Sequence, residues 1–105
     1  MTETLRTLEA TIAARRDGDP AASYVAKLHQ GGVPLIARKL GEEAVETVVA
    51  ALSGDDAALT AEAADLVFHL LVLLDAKGLS LADVEAELVR REGMSGIAEK
   101  AARKG

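Results

Sequence analysis

Cysteine is absent from this 105-residue chain, which excludes a disulfide scaffold, a thiol nucleophile and a cysteine-ligated zinc site. Aromatic residues are almost absent too: there is one Tyr, one Phe and no Trp. Half of the composition is nevertheless hydrophobic, so the apolar mass is mostly Ala, Leu and Val, which suits close-packed helices better than a sandwich or barrel. Basic residues are in deficit, with 12 Lys and Arg against 17 Asp and Glu for a net charge of −5. That balance argues against nucleic acid as the main partner, because phosphate binding needs a basic face. No uncharged apolar run approaches the ~18 residues of a membrane span. The most apolar stretch, residues 66–74, is short, contains His69 and begins beside Asp65. The first residues lack the basic-then-apolar pattern of a signal peptide. The expectation is a single all-α domain over residues 1–105, acidic and cytoplasmic, with no membrane and no nucleic acid as partner.

Punctuation divides the chain into five or six helical segments. Leu5, Leu8 and Ile12 stand at helical spacing within residues 3–16. Asp17-Gly18-Asp19-Pro20 is a turn cluster, with Pro20 suited to the first turn of a short helix over 20–30 that Gly31-Gly32 ends. Pro34 opens a long helix to about residue 52, and Ser53-Gly54-Asp55-Asp56 is a tight connection to a second long helix ending near residue 77 at Gly78. So short a link predicts that the two long helices pack as an antiparallel hairpin. Ser80 followed by Asp83 has the spacing of a capping box for a helix to about residue 92, and residues 97–104 are expected to add a last turn or two.

At 100° per residue, the first long helix carries Leu40, Val45, Val48, Val49 and Leu52 on a broad apolar arc, with Lys39, Glu43 and Glu46 together on the remaining face. The second is apolar around almost its whole circumference, interrupted by one stripe of Glu62, Asp65 and His69. A helix hydrophobic nearly all round is expected to be buried, and unpaired carboxylates on it cost several kcal/mol each. Residues one turn apart are near neighbours, and packed helices lie roughly 8–10 Å apart, so Glu43, Glu46, Glu62 and Asp65 can converge. Lys39 offsets only one of their four charges. An all-oxygen ligand set that needs a cation points to Mg²⁺, or to Mn²⁺. The plainer alternative is two solvated acidic faces, with Ala57, Ala58, Thr60 and Ala61 softening the helix start so that Glu62 faces water. A ferritin-like di-iron site is disfavoured because it uses Glu-x-x-His pairs on two helices.

Glu43-x-x-Glu46, fifteen intervening residues and then Glu62-x-x-Asp65 resembles the motif of the all-α nucleoside triphosphate pyrophosphohydrolases, the MazG-like superfamily. Ser23-Tyr24, Lys39-Leu-Gly-Glu-Glu-Ala-Val-Glu46, Glu62-Ala-Ala-Asp65-Leu-Val-Phe-His69 and the tail Arg91-Glu-Gly-Met-Ser-Gly-Ile-Ala-Glu-Lys100 are similar, more narrowly, to the phosphoribosyl-ATP pyrophosphohydrolase family. The resemblance covers most of the chain. It implies a dimeric MazG-like bundle of about five helices with two long antiparallel central ones. It also implies hydrolysis of the α–β phosphoanhydride of 1-(5-phosphoribosyl)-ATP to 1-(5-phosphoribosyl)-AMP and pyrophosphate, the second step of histidine biosynthesis. Glu43, Glu46, Glu62 and Asp65 are then the catalytic metal ligands. Chains of the family fused to a cyclohydrolase carry cysteine zinc ligands, so this cysteine-free chain would be the free-standing form.

Lys39, one turn before Glu43, is a candidate for a phosphate oxygen, or else for a salt bridge to Glu43. His69 is a candidate for a phosphate or for orienting a ligand, or else a satisfied core histidine. Ser23 and Tyr24 are candidates, by resemblance, for the phosphoribosyl end of the substrate. Gly41 inside a helix costs about 1 kcal/mol relative to Ala, which close approach by substrate or by packing would explain. The segment from Arg90 to the end carries +3 and leaves −8 on the rest, a charge that would help hold a polyphosphate or simply suit helix C-termini. So much apolar surface on so short a chain predicts a homodimer. Two other functions stay open: a related pyrophosphohydrolase acting on non-standard nucleotides, and a non-catalytic helical interaction module.

Overall fold

A computed structural model describes residues 2–93 together with Gly96, Lys100 and Arg103. Among these residues there is no strand, and four helices follow one another: α1 (Glu3–Arg15), α2 (Tyr24–Ser53), α3 (Asp56–Ala76) and α4 (Leu81–Arg90). The all-α architecture with two long central helices is as expected. The expected residues 97–104 helix falls almost wholly outside the described residues.

Most of the differences from expectation lie around α2. Pro20 does not open a helix; residues 17–23 form turns in which Asp19 Oδ1 accepts from the Ala21 N–H (2.9 Å) and the Asp19 carbonyl accepts from Ala22 and Ser23. An Asp side chain that bonds the backbone two residues on competes with helix formation. The helix starts instead at Tyr24, with Ser23 as N-cap accepting from the Ala26 N–H at 3.2 Å. As expected, Gly31-Gly32 ends a first helical arm, and α2 continues as a second arm only beyond the kink at Gly32. Gly32 stands at φ 79°, ψ 177°, a conformation open essentially to glycine alone, and a Cβ on Gly31 would collide with the Leu35 side chain. Pro34 sits in the first turn after this break, where its missing N–H costs nothing.

The break reverses the chain's direction. In the first arm of α2, Tyr24 meets His69 and His29 meets Asp75, so this arm runs alongside α3 in the same sense. In the second arm Glu43 lies by Asp65 and Glu62, and Ala50 near Ala58, so the sense is opposite. The tight link is as expected: Gly54 ends α2 at φ 78°, and Asp55 Oδ1 caps α3 by accepting from Ala57 (3.0 Å) and Ala58 (3.2 Å). At the far end, Leu79 N–H to Leu74 C=O and Gly78 N–H to Asp75 C=O make a Schellman motif. Ser80 and Asp83 then form the capping box of α4.

The core is made by Ile12 of α1, Val25, Leu28 and Ile36 of α2, and Leu71 and Val72 of α3. Burying side chains of this size contributes about 1.5–3 kcal/mol each. Asp75 adds a polar tie between elements, pairing with His29 Nε2 (3.0 Å) on α2 and Arg16 Nη1 (3.3 Å) at the end of α1. Glu9 joins α1 to α4 by accepting from the Leu81 N–H at 2.7 Å.

Two packing expectations are corrected. The apolar arc Val45, Val48, Val49 and Leu52 is not core: all four are exposed, Leu52 to 83%. On α2 the polar stripe turns toward α3 and the apolar arc turns away. And α3, apolar nearly all round, buries only His69, Leu71 and Val72, because three other helices are too few to surround it. By length and composition α3 could cross a membrane (mean hydropathy 1.8), a test that core helices also pass; its middle carries Glu62 and Asp65, and α2 packs along it.

Candidate functional site

The second arm of α2 and the first half of α3 run antiparallel, so residues one turn apart on one helix oppose residues one turn apart on the other. Glu43, Glu62 and Asp65 each bring one carboxylate oxygen to within 4.8 Å of the others. Glu46, one turn beyond Glu43, lies within hydrogen-bonding reach of both Glu43 and Glu62. A groove of about 450 Å³ opens beside the cluster, lined by Glu46, Val49, Ala50, Ser53, Ala58 and Glu62. The structure therefore brings all four acidic residues into one neighbourhood.

Their electrostatics are uncomfortable. Burial first, then the hydrogen bond and charge of Glu46 and the charge of Asp65, push the Glu43 carboxyl up from 4.5 to about 7. The hydrogen bond that protonated Glu62 can donate to Glu46 is the largest cause raising Glu62, followed by burial. Among the described residues, Glu43 Oε2 and Glu62 Oε2 are buried side-chain oxygens with no hydrogen-bond partner. Such atoms are costly unless a proton or a cation satisfies them. The nearby cation does not: Lys39 Nζ pairs with Glu42 at 3.5 Å, not with Glu43, and Arg38 also leans on Glu42 at 3.8 Å. Clustered hard oxygens, two of them unpartnered, suit a small divalent ion, so the residues present fit Mg²⁺ or Mn²⁺.

His69 is buried, 4% exposed, and both ring nitrogens are engaged. Nδ1 lies 2.7 Å from the Asp65 carbonyl oxygen one turn back, and Nε2 lies 2.8 Å from the Tyr24 hydroxyl. The ring also stands edge-on to Tyr24 and Phe68. His69 thus sits behind the cluster instead of within it. Partial burial raises the Tyr24 phenol above its ordinary pKa; Lys39 opposes this, and Glu43, Asp65 and Glu42 add to it. Ser23 spends its side-chain oxygen on the α2 cap, one residue before Tyr24. Gly41 has open space where a Cβ would be, so close packing among the described residues does not account for it. The basic tail lies mostly outside the described residues.

Phe68 and Glu42 escaped sequence reasoning. Phe68 reads as one more apolar residue of α3, and only the stack on Tyr24 (centroids 6.0 Å apart, planes at 19°) gives it a place at the site. Glu42 carries a signal in its i,i+3 and i,i+4 spacing to Lys39 and Arg38.

Two antiparallel helices pooling carboxylates in the order Glu43, Glu46, Glu62, Asp65 make this an all-α protein of the MazG-like class. A family model described as Phosphoribosyl-ATP pyrophosphohydrolase matches residues 5–92. Among similar proteins, one from Rhizorhabdus wittichii named Phosphoribosyl-ATP pyrophosphatase is 66% identical over 103 residues, covering 98% of this chain and 97% of that one. Proteins of the same name from Novosphingobium aromaticivorans (65%, covering 96% and 94%) and Erythrobacter litoralis (64%, covering 95% and 96%) are as close. The chain belongs to the phosphoribosyl-ATP pyrophosphohydrolase family.

Proposed function

We infer that this chain hydrolyses 1-(5-phosphoribosyl)-ATP to 1-(5-phosphoribosyl)-AMP and pyrophosphate, the second step of histidine biosynthesis, in the cytoplasm. Water adds at the α-phosphorus, the α–β phosphoanhydride P–O bond breaks, and pyrophosphate leaves with the bond's electron pair. The observation that carries this reading is the meeting of Glu43, Glu62 and Asp65 oxygens within 4.8 Å, two of those carboxylates holding an unsatisfied buried oxygen. Glu43, Glu46, Glu62 and Asp65 would hold Mg²⁺, with Mn²⁺ as a substitute. The ion's chemistry there is to neutralise phosphate charge and to lower the pKa of water.

The remaining work falls to the chain's own groups. Lys39 is only loosely paired with Glu42 and half-exposed, so a phosphate oxygen can recruit it. Ser23 accepts a hydrogen bond at its cap, which leaves its hydroxyl proton to donate to substrate. His69 acts through Tyr24 and through the Asp65 backbone, fixing both against the α2–α3 seam.

A homodimer belongs to the same proposal. Val45, Val48, Val49 and Leu52 form one exposed face of α2, with Gly41 on the same side one turn earlier, and open space over it lets another helix approach closely. An apolar stripe turned to solvent while carboxylates turn inward reverses the usual amphipathic order, which a second copy of the chain seated on that stripe would explain.

The test is pyrophosphate release from phosphoribosyl-ATP with Mg²⁺, comparing the unmodified chain with Glu62→Gln and Asp65→Asn. Each substitution is expected to lower turnover at least ~100-fold, the scale of losing a charge-stabilising group. Near-normal turnover in both variants would overturn the assignment, and a preference for non-standard nucleoside triphosphates would transfer it to the house-cleaning relatives.

A further inference from the structure

The chain has one tyrosine and one phenylalanine, and the fold places both beside the acidic cluster. Tyr24 stacks on Phe68, and His69 stands edge-on to both rings. Yet Tyr24 remains 49% exposed, so one side of its ring is supported and much of the rest is open.

The hydrogen bonds of His69 set the polarity of that exposed tyrosine. A backbone carbonyl only accepts, so the 2.7 Å contact with the Asp65 oxygen places a proton on Nδ1. With that proton on Nδ1, the neutral ring offers a lone pair at Nε2, to which the Tyr24 hydroxyl donates across 2.8 Å. The phenol proton is spent, and the oxygen is left with lone pairs alone. Around it lie the charges of Glu43, Asp65 and Glu42 against that of Lys39. An acceptor-only oxygen in a carboxylate-rich setting repels phosphate oxygens and attracts a hydrogen-bond donor.

On the reading given above, the phosphates of the substrate lie at the acidic cluster, and its other donors, the sugar hydroxyls and the exocyclic N–H of the adenine, all belong to the nucleoside part. We propose that Tyr24 recognises the nucleoside part of the substrate, its phenol oxygen accepting from one of these donors while its ring, backed by Phe68, gives apolar contact. His69 is the positioning residue that holds this polarity. The assignment rests on the proposed hydrolase reading and deepens it by giving Tyr24 a donor of the nucleoside part to bind.

The two products separate the ends of the substrate: pyrophosphate has no nucleoside, and phosphoribosyl-AMP lacks the leaving pyrophosphate. Calorimetric titration of each, with Mg²⁺ present, is made on the full chain and on Tyr24→Phe, which keeps the ring and removes only the oxygen. Tyr24→Leu, which removes the ring as well, is titrated in parallel. The Phe variant is expected to weaken phosphoribosyl-AMP about fivefold, the worth of one neutral hydrogen bond, and to raise KM similarly. The Leu variant weakens it further. Pyrophosphate binding changes less than about twofold in both, and an unchanged thermal shift with Mg²⁺ shows that the acidic cluster is intact. Equal weakening of both products, or no change in either, overturns the proposal while leaving the hydrolase reading standing. Failure of the unmodified chain to release pyrophosphate from phosphoribosyl-ATP removes that reading, and this inference with it.

Discussion

Glu43 and Glu62 each keep a buried oxygen that nothing among the described residues satisfies, so function and stability pull against each other at these two side chains. Glu43→Gln removes a charge from the cluster, and the metal-free variant is expected to melt at a higher temperature than the unmodified chain at pH 8. It should also lose the thermal stabilisation that Mg²⁺ gives. Paired melting curves with and without Mg²⁺ check both halves. The pH dependence follows from the Glu43 carboxyl, ordinarily near 4.5 and here pushed up to about 7. Between those values the folded chain holds a proton that the unfolded chain has released, so the unfolding free energy falls as pH rises through this window. The metal-free melting temperature is therefore expected to drop from about pH 5 to about pH 8. Divalent binding must displace that proton, so Mg²⁺ affinity rises over the upper part of the same range, with proton release measurable by calorimetry in buffers of different ionisation enthalpy. The acidic positions were legible because i,i+3 spacing on a helix places side chains together whatever the tertiary structure. The Tyr24–His69 bond was not, since 45 residues separate its partners.

Among the elements, α2 carries the decisive irregularity. Gly32 turns the first arm back so that Tyr24 arrives beside His69, and its φ of 79° with ψ of 177° admits no ordinary side chain. Gly32→Ala is expected to cost about 1–3 kcal/mol of stability. It should also weaken nucleotide binding more than Mg²⁺ binding, because Glu43, Glu62 and Asp65 all lie beyond the reversal. Denaturant titration and calorimetry separate the two effects. Ser80→Ala, by contrast, removes half of the α4 capping box and is expected to cost about 1 kcal/mol with turnover unaffected. The glycine pair and Pro34 were legible as a break, but the direction of the chain after it was not. Periodicity marks where a helix stops and says nothing of the angle at which the next begins. The turn at Pro20 has a similar origin: Pro suits a first helical turn, but the Asp19 side chain takes the Ala21 N–H while its carbonyl takes those of Ala22 and Ser23.

For the molecule as a whole, the outward face of α2 is an apolar surface that stands exposed among the described residues. The radius of gyration is 15.8 Å, against about 13 Å for a compact chain of this length, so the helices are spread more than one small core requires. Burying Val45, Val48, Val49 and Leu52 against a second copy would contribute about 1.5–3 kcal/mol for each side chain fully covered. Sedimentation equilibrium at micromolar concentration is expected to give a dimer, and Val48→Glu with Leu52→Glu a monomer. A stable monomer from the unmodified chain would refute the pairing.

Helix positions other than the start of α2, the tight α2–α3 link, the α4 cap and the register of the four carboxylates follow from the order of residues alone, because each depends on contacts within a few positions along the chain. Which face of α2 turns inward depended on tertiary structure. A helical wheel has no absolute orientation, and the usual assumption that the apolar arc seeks the core fails here, where Val45, Val48, Val49 and Leu52 turn to solvent and Glu43 turns toward α3. Likewise only the fold joins Tyr24 to His69 and His29 to Asp75, since those bonds exist only after the chain has doubled back at Gly32 and brought distant turns into register.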